Sequence, residues 1–496
     1  MTYNILSENN TSTVVAHYER QAMVEDSAYQ TEADLERSLI EQLQRQGYEY
    51  AQIHNEDELI DNLRQKLEEL NGYRFIDNEW RRFFKTEIAA EGKGIVDKTR
   101  TIQTDFVKTL RRDNGEEKNI YLIKKDDVHA NRTQVINQYE VWNGQRPNRY
   151  DVSILVNGLP LVHIELKKRG VSIKEAFNQI NRYGRESFWA GNGLFEYVQI
   201  FVVSNGTQTK YYSNTTRDSH INEIKKGGNK NKPKTSNSFE FTSYWADARN
   251  QGLNDLVDFT ATFFSRHTLL NVLTRFCVLT EQDLLLVMRP YQIAATEALL
   301  NQIERAHNMN KQGTRDACGF VWHTTGSGKT LTSFKAAQLA TRYDFVDKVV
   351  FVVDRKDLDY QTMKEYDRFQ KGAANGNTST KILEGQLKNP KCKIVITTIQ
   401  KLTSLIKRFP THEIFGKNVV MVFDECHRSQ FGDMHAAIVR KFKKYYIFGF
   451  TGTPIFTENM PRSGGNLRTT EDVFRRKLHT YTIVDAIRDK NVLPFR

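Results

Sequence analysis

The stretch Gly319-Phe-Val-Trp-His-Thr-Thr-Gly-Ser-Gly-Lys-Thr330 decides how the C-terminal half of the chain folds. A short apolar run leads into a glycine-punctuated loop, and Leu331-Thr-Ser-Phe-Lys-Ala-Ala then reads as a helix. Strand, loop and helix in that order form the setting in which such a loop cradles phosphate. Gly326 and Gly328 let backbone N–H groups curl around an anion, Lys329 supplies a cation, and the Thr330 hydroxyl can ligate Mg²⁺ at the helix N-terminus. Thr325 and Ser327 complete the loop residues assigned to binding nucleotide. One position departs from the usual pattern, since His323 stands where a small residue is expected.

Working outward, short and continuously apolar runs at 319–322, 349–353, 393–397, 419–423 and 446–450 alternate with helical segments. Such runs indicate strands buried on both faces of a parallel sheet, with ligands at their carboxyl ends. Asp424-Glu-Cys-His427 follows one of them directly. Asp424 can hold Mg²⁺, Glu425 can orient and deprotonate the water that attacks a γ-phosphate, and His427 is a candidate relay.

Further segments resemble superfamily 2 helicase motifs, in the order that family carries them. Arg289-Pro-Tyr-Gln292 is similar to the element that reads adenine, which assigns that role to Gln292. Asp354-Arg355 and Thr397-Thr-Ile-Gln400 are similar to backbone-contacting motifs. Thr451-Gly-Thr-Pro454 is similar to the motif that couples hydrolysis to nucleic acid, through Thr451 and Thr453. Nothing after Pro454 resembles the second motor lobe, so the chain reads as the N-terminal part of a longer protein, with 481–496 as a lead-out.

The N-terminal half carries a different constellation. A helical pattern over 31–72 opens with Thr31 as cap and Asp34 at the third position, and Leu35, Leu39, Ile40 and Leu43 form one stripe. Strands follow at 120–123, 151–156, 161–166 and 198–203, with a helix at 172–183. Asp151, and fourteen residues later Glu165-Leu-Lys167, match the PD-(D/E)xK nuclease pattern, its leading proline displaced to Pro147. The chemistry needs Asp151 and Glu165 close enough to share Mg²⁺, with Lys167 positioning or helping to deprotonate the attacking water. Period-two alternation puts Glu165 and Lys167 on one face. A strict two-residue turn on Asn157-Gly158 would pair Asp151 with Ile164 and send Glu165 to the other face, so a bulge or odd-length turn is expected near Gly158 and Pro160. Gln179 and Tyr183, one helical turn apart, match a Gln-x-x-x-Tyr element of the resembled nucleases. Glu36 or Glu32 would add a carboxylate, while His163 reads as structural.

The chain has 496 residues, and Lys plus Arg exceed Asp plus Glu by 71 to 60, a net charge of +11 suited to a polyanionic partner. Lys225-Lys-Gly-Gly-Asn-Lys-Asn-Lys-Pro-Lys234 reads as a basic surface loop. Four scattered cysteines suggest neither a zinc site nor a disulfide framework, and no signal peptide or spanning segment is visible. A cytoplasmic protein with no membrane partner is expected. The division expected is an extension (1–30), a nuclease domain (31–265) and a RecA-like lobe (266–480), all of α/β class.

A nuclease ahead of a superfamily 2 motor resembles the restriction subunit of type I restriction-modification enzymes. That resemblance implies ATP and Mg²⁺ as cofactors, translocation on double-stranded DNA with cleavage away from the recognition site, and methyltransferase and specificity subunits as partners. Two rivals stand beside it: a DNA-stimulated ATPase with an inactive nuclease-like docking domain, and a non-catalytic single-lobe assembly module. A type III restriction subunit is disfavoured, since that family places its nuclease after the motor.

Overall fold

A computed structural model describes residues 30–142, 147–186, 193–215, 242–353, 364–369, 375–424, 431–456 and 469–489, together with 13–14, 18, 372 and 426. Two compact units emerge: Thr13–Asp247 with Gln251–Arg289, and Pro290 onward with Ala248–Asn250. Residues 266–289 therefore pack with the first unit, although the sequence reading assigns them to the second.

The first unit is built on a sheet of six strands among the described residues. Helix α1 (Glu32–Arg45) starts on the expected capping box, with the Asp34 amide donating to Thr31 Oγ1 at 3.1 Å. The single helical segment expected over 31–72 is in fact two helices. Gly47, at φ +86°, ends α1; strand β1 (Glu49–Tyr50) follows, and the Asn55 side chain caps α2 (Glu56–Asn71). After α3 (Asp77–Phe83), α4 (Ile95–Gln103) and the hairpin of β2 (Val107–Arg111) and β3 (Glu117–Tyr121) come the main strands. These are β4 (Thr133–Trp142), β5 (Pro147–Val156), β6 (Leu159–Leu166), β7 (Ile200–Ser204) and β8 (Thr209–Ser213), in the order β1-β4-β5-β6-β7-β8. Helix α5 (Ile173–Glu186) makes the crossover that lets β7 run parallel to β6. Two helices follow, α6 (Leu256–Thr262) and α7 (Arg266–Arg275), separated where Ser265 caps the second through the Thr268 amide. Strands β9 (Cys277–Leu279) and β10 (Leu285–Val287) close the unit.

The second unit begins with α8 (Pro290–Asn308) and holds β11 (Cys318–His323), α9 (Lys329–Ala340), β12 (Lys348–Val353), α10 (Thr380–Lys388), β13 (Ile394–Thr398), α11 (Ile399–Arg408), β14 (Asn418–Asp424), α12 (Phe431–Lys441), β15 (Lys444–Thr451), α13 (Thr470–Phe474), β16 (Lys477–Tyr481) and α14 (Ile483–Arg488). Every strand pairing in its sheet is parallel, in the order β13-β12-β14-β15-β11-β16. The five expected strands are present, and β16 is a sixth at the edge. Tyr481 ends that strand, and Thr482 and Asp485 then form a capping box for α14. Val350, Val352, Val395, Val419, Met421 and Ile447 bury one side of this sheet under α10, α11 and α12.

Candidate active sites

The first site forms where β5 and β6 meet. Asn157 (φ +53°) and Gly158 (φ +84°) make the two-residue turn between them. A Cβ on Gly158 would lie 2.6 Å from the Leu63 Cα, so this corner accepts no larger residue. Near the turn the strands pair Val156 with Leu159 and Leu155 with Pro160, but beyond it Ile154 pairs with Val162 and Val152 with Ile164. Leu161 is therefore an extra residue, the bulge that the carboxylate spacing requires. The shifted register sets Asp151 opposite Glu165, on one face of the sheet.

The two carboxylates are withdrawn from water to different degrees, Asp151 half-buried and Glu165 fully buried. Glu165 is fully buried, and neither of its oxygens has a hydrogen-bond partner among the described residues. Asp151 Oδ2 accepts the Leu166 amide at 2.9 Å. Burial pushes each acid up to about 8, and the Glu165 charge adds to the effect on Asp151. Lys167 Nζ lies 3.7 Å from Glu165 Oε1 and 3.7 Å from Glu32 Oε2, and donates to the Leu166 carbonyl at 2.8 Å. Buried oxygens without donors, in a pair of adjoining carboxylates, suit a hard cation that keeps most of its own water. No group of three or more His, Cys, Asp or Glu converges among the described residues, so the protein offers that cation this pair, not a full cage.

The supporting residues are placed as follows. Tyr183 Oη accepts from Gln179 Nε2 at 2.6 Å and donates to the Arg149 carbonyl at 2.8 Å, which ties α5 to the strand bearing Asp151. Helix α1 brings two glutamates toward the sheet. Glu32 reaches Lys167, whereas Glu36 accepts from the side chains of Asn137 and Gln138 on β4. His163 is buried beside Glu165, with Nε2 3.4 Å from Glu165 Oε2 and Nδ1 3.1 Å from Ser153 Oγ. Burial lowers its pKa to about 4, so it is a neutral neighbour of the carboxylate. Sequence reasoning missed β4, Asn137, Gln138 and Ser153. The β-branched and aromatic residues Val135, Ile136, Tyr139, Val141 and Trp142 were a signal for the strand.

The second site lies at the carboxyl edge of the parallel sheet. Neighbouring strands β14, β15 and β11 end at Asp424, Thr451 and His323, so their loops lie side by side. Gly326 and Gly328 adopt φ of +81° and +78°, the left-handed backbone that glycine permits. Gly328 is the N-cap of α9 and offers no side chain to its first-turn amides, which therefore face outward as an anion site. Lys329 and Thr330 open that helix, both half-buried, as is Asp424. Ser327 is turned inward, its hydroxyl donating to the Thr324 carbonyl at 2.7 Å, while Thr325 is exposed. A Cβ on Gly452 would sit 3.4 Å from Thr325 Oγ1 and 3.5 Å from Lys329 Nζ, so the Thr451–Pro454 turn packs directly on the phosphate loop. Thr451 is buried and its hydroxyl accepts the Thr453 amide at 3.1 Å.

Gln292 reaches the same loop from α8, its amide donating to the Ser327 carbonyl at 3.0 Å. Thr398 caps α11 and Thr397 bonds to Asn377, so both hydroxyls serve the fold here. Glu425, His427, Asp354, Arg355 and residues 225–234 lie outside the described residues. Glycines that free the backbone amides, a lysine and a threonine at a helix start, and an aspartate two strands away fit a Mg²⁺-bound nucleotide.

Residues 29–220 match the family model described as type I restriction enzyme R protein N terminus, and residues 291–496 match the SWI2/SNF2 ATPase model. The chain is 43% identical over 477 residues to the type I restriction enzyme SsaAORF53P endonuclease subunit of Staphylococcus saprophyticus, covering 94% of this chain and 47% of that one. It is 42% identical over 476 residues to the SauCOLORF180P endonuclease subunit of Staphylococcus aureus, with the same coverage of 94% and 47%. It is 47% identical over 300 residues to the EcoprrI endonuclease subunit of Escherichia coli, covering 60% of this chain and 90% of that one. The chain spans about half the length of the two staphylococcal relatives. With both halves matched in order, the chain belongs to the endonuclease subunits of type I restriction enzymes.

Proposed function

We propose that this chain supplies the nuclease and the first ATP-binding motor lobe of a type I restriction enzyme. Its substrate is double-stranded DNA, which it translocates with ATP and cleaves away from the recognition site. The observation that carries the reading is the Leu161 bulge, which sets Asp151 and Glu165 together beside Lys167 on a chain that also bears a phosphate loop. A docking domain without chemistry has no use for a fully buried glutamate whose oxygens lack donors, set beside a second carboxylate.

In the nuclease, Asp151 and Glu165 hold Mg²⁺, which polarises the scissile phosphate when bound. Lys167 orients the attacking water, Tyr183 and Gln179 fix the strand beneath Asp151, and Glu32 or Glu36 adds negative charge at the rim. In the motor, the phosphate loop and Lys329 take the nucleotide phosphates, Thr330 and Asp424 the accompanying Mg²⁺, and Gln292 the adenine. Glu425 orients the hydrolytic water, and His427, Thr451 and Thr453 carry the result to DNA. The DNA sequence is read by a specificity subunit, assembled with a methyltransferase subunit. This chain touches mostly phosphates, in keeping with its charge of +11.

The test is nicking of circular double-stranded DNA with Mg²⁺, ATP and the two partner subunits present or withheld. Wild type should cleave only in the full mixture, and Asp151→Ala and Lys329→Ala should each lose cleavage by at least about a hundredfold. Unchanged cleavage by Asp151→Ala would exclude the nuclease assignment, and unchanged ATP-dependent cleavage by Lys329→Ala would exclude the motor.

A further inference from the structure

His323, the residue that departs from the usual phosphate loop, is fully buried. Its Nε2 lies 2.9 Å from Nδ1 of His479 on β16, and His479 Nε2 lies 3.2 Å from the Ala248 carbonyl within the same unit. A carbonyl can only accept, so His479 must carry its proton on Nε2. Burial depresses both rings, His479 to about 4, so each is neutral and has a single N–H. Nδ1 of His479 is then an acceptor, and His323 must donate to it from Nε2. One carbonyl thus fixes two tautomers in series.

The same strand holds the loop at further points. The Thr324 amide donates to the Tyr481 carbonyl at 2.9 Å. The Tyr481 ring stacks on Tyr291, with centroids 3.6 Å apart, and Tyr291 Oη donates to the Ser327 carbonyl at 2.8 Å. Both the entry and the exit of the loop are therefore tied to β16. Its sequence, Lys477-Leu-His-Thr-Tyr481, carries no helicase-like motif.

We propose that His479 is a positioning residue for nucleotide binding: by accepting from His323 it locks the root of the phosphate loop to β16. This deepens the nucleotide reading of the same site and rests on it. The two are separable by experiment on the full 496-residue chain. Binding of Mg²⁺ with a non-hydrolysable ATP analogue is measured for wild type, Lys329→Ala, His479→Asn and His479→Leu. Asparagine keeps an acceptor near the Nδ1 position but loses volume, whereas leucine keeps volume and loses the acceptor. Positioning predicts that His479→Leu weakens binding about tenfold while His479→Asn stays within about threefold. A packing role predicts the reverse order, and that order, or equal binding by all three, overturns the proposal.

The second readout is imidazole ¹⁵N NMR of the wild-type chain, which stands even if the leucine variant fails to fold. His323 should be the Nε2–H tautomer, and the analogue should shift the ring signals of both histidines. An Nδ1–H tautomer or unmoved signals would also overturn it. If wild type binds no analogue, or Lys329→Ala binds it equally well, the nucleotide reading falls and the proposal falls with it.

Discussion

At the scale of single residues, the pair Asp151 and Glu165 makes a signed prediction. Without metal, both acids are raised from 3.8 and 4.5 to about 8, so the folded protein holds protons that the unfolded chain releases. That contribution is fully present below the unfolded values and is lost as pH rises toward 8. In EDTA the melting temperature of the nuclease unit should fall between pH 5 and pH 8, more steeply than in the double variant Asp151→Asn, Glu165→Gln. Mg²⁺ should restore it at pH 8, where both carboxylates are poised to ionise around the ion. Equal slopes for wild type and double variant, measured by circular dichroism, would sink this account of the pair. These residues were legible because charge at a fixed spacing is unusual within apolar strands. Ser153 and Asn137 were not, since a serine or asparagine gains its meaning from a partner distant in sequence.

Elements were legible in proportion to how fully they are buried. The strands 348–353, 394–398 and 418–424 are covered on both faces and read as unbroken apolar runs. Strand β16 lies at the sheet edge and alternates polar with apolar, which disguised it. The helices within 31–72 were joined because apolar periodicity outweighed the Asn55 cap, although both signals are in the sequence. The β5–β6 turn was read correctly from an argument about faces. Gly158→Ala there would meet the Leu63 backbone in a left-handed conformation. It should cost about 3 kcal/mol or more, seen as a lower urea midpoint of the nuclease unit, with nucleotide binding unaffected. A loss below about 1 kcal/mol would mean that the corner can relax and that the close approach does not constrain the turn.

For the whole molecule, two compact units with separate sheets predict two unfolding events. Scanning calorimetry should resolve two transitions, one raised by Mg²⁺ with an ATP analogue and lost as a response in Lys329→Ala, the other lowered by Gly158→Ala. A single transition that responds to both would contradict independent cores. The presence of two units was legible from the change in pattern between the halves. Their division at Arg289 was not, because α7, β9 and β10 are apolar enough to suit either unit and their contacts decide the matter.

The Leu161 bulge has a meaning in the language of genes. A frame-preserving loss of one codon between the Asn157-Gly158 turn and Ile164 would leave the strands, their hydrophobic character and the Asp and Glu-x-Lys letters all readable, yet turn the two acids to opposite sides of the sheet. For this fold, the frame that brings the two acids together is finer than the reading frame of translation, and parity along one hairpin is what a comparison of such genes should count.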